Sequence, residues 1–192
     1  TVERVRAAER QAFPGRTALT EAVARYHFKL LAIKDEYEVA RLYVHSGFLD
    51  SVAQQFDGDY KLVFNLAPSW LARPDPATGE PSKRAFGTWI VPVFRALARM
   101  RRLRGTALDV FGYSQERRAD RALLAQYEAD VDMLLASLQA TPDLERYAAA
   151  VELASLPEQV RGYGHVRHRS LAPVAARAEA LRAQLQRRLI PL

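Results

Sequence analysis

Two stretches of the 192-residue chain gather side chains that could do chemistry. The first, KDEYE, sets Lys34, Asp35, Glu36, Tyr37 and Glu38 in a row, with Arg41 one helical turn beyond Glu38. Three carboxylates this close could hold a divalent cation or work as an acid and base pair. Their spacing matches no helical metal motif, and Lys34 and Arg41 stand near enough to neutralise them. A salt-bridged corner between two helices is the preferred reading. The second stretch, RGYGHV, places Arg161, Gly162, Tyr163, Gly164 and His165 ahead of Arg167, His168 and Arg169. Backbone amides beside two closely spaced glycines could form an anion-binding nest. The pattern is neither G-x-G-x-x-G nor a phosphate loop ending in Lys-Ser/Thr. A tight interhelical turn, with Tyr163 and His165 packed on their neighbours, is therefore preferred there. No Ser/His/Asp or Cys/His arrangement can be argued, and neither His45 nor His168 has partners at metal-ligand spacing. His27 falls on an apolar stripe and is read as a hydrogen-bonded core residue.

Charge and composition narrow the classes. The net charge is +6, and 24 of the 28 basic residues are arginine, spread along the whole chain. One dense cluster stands out, Arg95, Arg99, Arg101, Arg102 and Arg104, at the end of a predicted helix where cations complement the helix dipole. Stacking aromatics are not interleaved with it, so a docking or solvated face is preferred over a nucleic-acid groove. The absence of cysteine excludes disulfides, thiolate zinc sites and cysteine-ligated iron–sulfur clusters within these residues, and fits a cytoplasmic home. No apolar run approaches the length of a membrane span, and the N-terminus lacks the apolar core of a signal peptide. With 49% hydrophobic residues the chain can bury a substantial core. It opens at Thr1 directly on a helix-like run, which is the expectation for a segment of a longer polypeptide.

The elements that must position these residues read as mainly α, at most α+β. Val2 to Ala12 is helix-compatible and stops at Pro14–Gly15. Thr17 or Thr20 can cap a second helix whose stripe is Leu19, Val23, Tyr26, His27 and Leu30. A short helix from Asp35 to His45 ends at Ser46–Gly47, and Phe48, Leu49, Val52 and Phe56 form a further amphipathic turn. Alternation from Tyr60 to Leu66 predicts a strand, and Lys83 to Phe86 a returning one, joined through the turn-rich residues 72–87. Helices follow over Trp89–Met100, from a Ser114 cap to Leu138, near Leu144–Ala154, and from about Leu171 to Leu189. The stripes of the two long ones are Leu123, Tyr127, Val131, Leu134, Leu138 and Leu171, Val174, Ala178, Leu181, Leu185.

Five of these segments together resemble a known family. FKLLAIKDEYEVARLY (28–43), FDGDYKLVFNLAP (56–68), RPDPATGEPSKRAFG (73–87), LRGTALDVFGYSQERR (103–118) and LPEQVRGYGHV (156–166) are similar, in order, to the C-terminal domain of bacterial fused indolepyruvate ferredoxin oxidoreductases of the 2-oxoacid:ferredoxin oxidoreductase superfamily. The resemblance runs from about Leu19 to Leu185. It implies a parent polypeptide that decarboxylates an aryl pyruvate with thiamine diphosphate, passes electrons through iron–sulfur centres to ferredoxin, and releases an acyl-CoA. These residues carry neither a thiamine diphosphate signature nor a cysteine, so no catalytic, cofactor-binding or metal-ligating residue is transferred to them.

The resemblance implies a single non-catalytic helical domain over 1–192, with 1–15 as a linker helix, inside a homo-oligomeric cytoplasmic enzyme. Its expected role is structural, at a subunit interface or in docking the acceptor, with the other domains of the same polypeptide as partners. Candidate docking or ligand-facing residues are Lys34, Asp35, Glu36, Tyr37, Arg41, Arg161, Gly162, Tyr163, Gly164 and His165, the ligand being substrate or CoA. Arg99, Arg101, Arg102 and Arg104 are candidates for steering ferredoxin, which is typically acidic. The alternative is a stand-alone basic helical domain that binds nucleic acid. Its arginines should gather on one continuous surface.

Overall fold

Helix periodicity dominates this chain, and the structure follows it. A computed structural model describes residues 1–67, 82–138, 143–162 and 164–187. Among these the chain is mainly α-helical with one two-stranded antiparallel sheet. In order, the elements are α1 (Val2–Ala12), α2 (Ala18–Leu31), α3 (Glu36–His45), α4 (Phe48–Gln55), β1 (Phe64–Leu66), β2 (Arg84–Phe86), α5 (Val91–Met100), α6 (Gln115–Leu138), α7 (Leu144–Ser155) and α8 (Gly164–Arg187). Short 3-10 turns cover Thr88–Ile90, Arg101–Leu103 and Leu156–Gln159. The chain forms two compact units, one of Thr1–Ala32 with Ala119–Leu192, the other of Ile33–Arg118.

The first unit is built from long apolar stripes. Leu19, Val23 and Tyr26 of α2, Tyr127, Val131, Leu134 and Leu138 of α6, and Val174, Ala178, Leu181 and Leu185 of α8 are all buried in one cluster with Tyr147, Ala150 and Leu153 of α7. These are the positions that three- and four-residue spacing picks out. His27 lies at the edge of the cluster, its Nε2 3.0 Å from Glu128 Oε1 and its ring beside that of Tyr127. Residues 1–15, expected as a linker helix, contribute Val5, Glu9 and Phe13 to this interior.

Glu9 has the most demanding position. The first N–H groups of any helix lack intrahelical partners, and Thr17, which precedes α2, donates its hydroxyl to Glu21 (2.7 Å) and caps nothing. The cap comes from α1. Glu9 accepts from the amides of Leu19 (2.8 Å) and Thr20 (2.9 Å), from the Thr20 hydroxyl, and from the Tyr147 hydroxyl (2.7 Å). Negative charge is favoured there by the helix dipole. Helix α8 meets two further buried carboxylates: Arg167 pairs with Asp120, and the Arg182 fork grips Asp130 at 2.6 and 2.8 Å. Arg177 grips the more exposed Glu152 in the same way.

The second unit packs α3, α4 and α5 with the hairpin. Phe64, Phe94 and Tyr43 stack within 5.0–5.4 Å of one another, and Phe48 closes on Tyr43 from its other side. Phe64 pairs with Phe86, Asn65 with Ala85 and Leu66 with Arg84. The expected alternation survives, since Leu62, Phe64 and Leu66 face this cluster while Val63 is exposed. The paired stretch is shorter than Tyr60–Leu66. Tyr60 turns instead to the ring of Phe56, and a two-stranded ribbon has no third strand to extend its ladder. Most of the turn between the strands lies outside the described residues.

One boundary differs in a larger way. Helix α8 begins at Gly164, seven residues before Leu171, so His165 belongs to a helix and not to a turn. Gly164 and Pro173 both argue against helix locally, but Pro173 is carried inside α8 all the same. The turn is confined to Arg161–Gly162, where Gly162 takes φ +81°, a region open mainly to glycine. The expected end at Leu189 lies outside the described residues. Among the described residues no helix is long and apolar enough to cross a membrane.

Burial, followed by the hydrogen bond to Glu9, pushes the Tyr147 hydroxyl up to about 12. A phenol with a raised folded-state pKa contributes its full stability below its ordinary value near 10 and loses it as pH climbs through the folded value. Unfolding free energy should therefore fall between about pH 10 and 12. In denaturant melts Tyr147→Phe should show a shallower fall across that window. An identical pH slope in the two proteins would place the proton elsewhere.

Candidate functional site

The KDEYE corner forms where α3 begins. Asp35 is the N-cap residue, its Oδ1 accepting from the Glu38 amide at 2.8 Å. A carboxylate in this position satisfies one orphan donor and interacts favourably with the helix dipole. Both of its oxygens also receive Arg104, from Nε to Oδ2 at 2.7 Å and from Nη2 to Oδ1 at 2.7 Å. Glu38 is taken by the Arg41 fork at 2.6 and 2.9 Å, which holds its carboxyl below the usual carboxylate range. Glu36 faces Arg117 (3.9 Å), whose Nη2 also reaches the Lys34 carbonyl at 3.4 Å. Each carboxylate thus turns towards its own arginine. Among the described residues no group of three or more His, Cys, Asp or Glu converges to hold a metal ion.

Tyr37 points inward from this corner and is fully buried. Its ring meets Phe111 edge-on at 5.0 Å. Burial first, and the Asp109 carboxylate second, push its hydroxyl pKa up. Among the described residues no hydrogen bond of ordinary geometry reaches that hydroxyl. Asp109 is itself buried, and it ties the 103–113 connector into a closed loop. Its Oδ2 accepts from the Gly105 amide at 2.9 Å and its Oδ1 from the Gly112 amide at 3.0 Å. The segments 34–41 and 103–118, far apart in the chain, thus meet through Asp35–Arg104, Glu36–Arg117 and Tyr37–Phe111.

The arginine cluster divides in two. Arg104 is committed to Asp35, while Arg95, Arg99, Arg101 and Arg102 are exposed and make no ion pair among the described residues. They give the end of α5 an exposed positive face, with Arg101 also within electrostatic reach of Glu38. Elsewhere, Arg167, Arg177 and Arg182 of α8 are already engaged by carboxylates.

The second candidate stretch belongs to the first unit. There the Arg161 amide lies 3.3 Å from Ser170 Oγ, and the Lys29 ammonium donates to the carbonyls of Pro157 (2.7 Å), Val160 (3.0 Å) and Glu158 (3.3 Å). Burial, then the charge of Arg161, pushes the Lys29 pKa down. Tyr26 donates to Glu158 at 2.9 Å beside it. Lys29 thus stitches α2 to the chain that enters the Arg161–Gly162 turn. Tyr163 and the side chain of His165 lie outside the described residues, and Gly164 opens α8.

Sequence reasoning missed Asp109, Glu9, Asp120 and Asp130. For Asp109 a signal existed: Asp three residues before Gly112 fits a side chain that hydrogen-bonds the backbone ahead of it. The others lack one, since their partners lie 10 to 138 residues away.

The fold and the corner define a class: a mainly helical chain whose conspicuous acids are taken up by its own arginines and backbone amides. The chain belongs to DUF6537, a family of unknown function, whose model matches residues 1–180. No curated protein and no solved structure matches it.

The Asp109 clamp can be tested at Gly112, where a Cβ would stand 2.5 Å from Asp109 Oδ2 and 2.7 Å from its Cγ. Gly112→Ala must drive the carboxylate off both amides, and should destabilise the unit by about 2 kcal/mol. Hydrogen exchange at the Gly105 amide should accelerate in parallel. Unchanged exchange would mean that the loop is held by something else.

Proposed function

We propose that this chain is a non-catalytic helical module of an oxidoreductase resembling the fused indolepyruvate ferredoxin oxidoreductases, and that it serves to dock the acidic electron acceptor. The observation that carries this reading is the division of charge in the second unit. Asp35, Glu36 and Glu38, the residues best suited by type to acid–base or metal chemistry, face Arg104, Arg117 and Arg41. Arg95, Arg99, Arg101 and Arg102 are left facing solvent. A patch of one sign raises the encounter rate with a partner of the other, and its effect is screened by salt. The thiamine diphosphate, iron–sulfur and CoA chemistry belongs, on this reading, to other parts of the parent enzyme. Binding of nucleic acid is the weaker alternative, because Arg167, Arg177 and Arg182 of α8 are already paired and the exposed cluster is short.

The test is charge reversal. Arg101→Glu with Arg102→Glu should slow reduction of ferredoxin by the parent enzyme about tenfold at low salt. The deficit should shrink towards 0.5 M salt, and turnover with a small neutral dye should be unaffected. Equal slowing with both acceptors would reject docking.

A further inference from the structure

Residues 103–113 form a loop whose shape is fixed from within. Besides the Asp109 clamp, the Thr106 hydroxyl donates to the Leu103 carbonyl (2.7 Å) and receives the Leu108 amide (3.2 Å). The Tyr113 hydroxyl donates to the Ala107 carbonyl (3.0 Å), and Arg118 Nη2 donates to the Tyr113 carbonyl (2.9 Å). On this frame Asp109 and Phe111 turn inward, while Leu108, Val110 and Tyr113 stand 67%, 64% and 61% exposed. Single exposed apolar residues are ordinary. Three on one internally pinned loop, next to unpaired arginines, are not explained by the fold of the unit.

We propose that this loop is the apolar centre of a docking surface for an acidic protein, with Arg101 and Arg102 as its cationic rim. This rests on the acceptor-docking reading and adds where the partner is gripped. The charge argument is local. Asp35, Glu36 and Glu38 are each taken by an arginine, and Asp109 by backbone amides. Glu116, in the first turn of α6, is the exposed acid close by. Arg101 and Arg102 precede Gly105 by four and three residues, with successive turns from Arg101 to Arg104 and Leu103 to Thr106 keeping them beside the loop. An apolar, tyrosine-bearing centre within a charged rim is the usual anatomy of a protein interface. Because its hydrogen bonds hold the loop in place beforehand, little ordering entropy is lost on binding. Fixed spacing would be wasted on a lipid surface, which conforms to any loop. Leucine and valine have nothing to read on a phosphate backbone.

The experiment is surface plasmon resonance of residues 1–192 against a plant-type [2Fe–2S] ferredoxin at low and high salt. Three variants are compared: Leu108→Ser with Val110→Ser, Leu108→Gln alone, and Arg101→Glu with Arg102→Glu, each checked for an unchanged circular dichroism spectrum and melting temperature. The two loop variants should dissociate faster, the double variant about tenfold, with the salt slope kept. Charge reversal should slow association and flatten that slope. If charge reversal weakens binding and neither loop variant does, the loop inference falls while acceptor docking stands. If the wild-type chain does not bind ferredoxin, both fall. Loop-dependent binding to phosphatidylserine vesicles or to single-stranded DNA, in place of ferredoxin, would overturn the choice of a protein partner.

Discussion

A carboxylate withdrawn from water is costly unless donors surround it, and the effective penalty is several kcal/mol. This chain buries such groups against backbone amides at helix starts and in a loop. Glu9 closes the start of α2, Asp35 the start of α3, and Asp109 the mouth of the 103–113 loop. At the two helix starts the anion satisfies donors that lack an intrahelical partner, and at the loop it holds the Gly105 amide and shares the Gly112 amide with the Asp109 carbonyl. Asp120 and Asp130 follow the second solution and take arginines from α8. The interior of each unit depends on these anchors as much as on its apolar stripes. They set where helices begin and which loop faces outward.

That arrangement has a consequence for the surface. Acids spent on the backbone, or on Arg41, Arg104 and Arg117, offset the arginines at the end of α5 only in part, Glu38 alone among them acting on Arg101 as well. The KDEYE corner, by residue type the strongest candidate for chemistry, works as a brace between α3 and the 103–118 segment. The same brace sets Leu108, Val110 and Tyr113 outward beside Arg101 and Arg102. The structural role and the proposed docking role would therefore share one network, and a change in the brace should alter the outer face without touching it.

Much of the fold was legible in the sequence, for a definite reason. The stripes of α2, α6 and α8 are local patterns, repeated over several turns, and most of their positions lie in the core, with Leu30, Leu123 and Leu171 packed at its margin and His27 at its edge. The Glu38–Arg41 pair was legible too, being a contact of three residues' separation, whereas Asp35, read as the first helical residue, is the cap. Long-range polar contacts were not. Nothing near Glu9 announces Tyr147, 138 residues on, and nothing near Asp130 announces Arg182. The start of α8 was misread because Gly164 and Pro173 disfavour helix on their own, whereas packing of Val174, Ala178, Leu181 and Leu185 decides the matter. The candidate site was half legible. Its acids were visible, but their arginines at 104 and 117 and the inward turn of Asp109 are products of the tertiary fold.

The central claim is that these residues dock an acceptor and perform no chemistry. The most direct measurement compares the proposed parent oxidoreductase with a version lacking residues 1–192, with oligomeric state recorded and turnover measured with ferredoxin and with a small neutral dye. The account predicts normal assembly, preserved dye turnover and a severe loss with ferredoxin. Equal loss with both acceptors in a correctly assembled enzyme, or full activity with both, would contradict it.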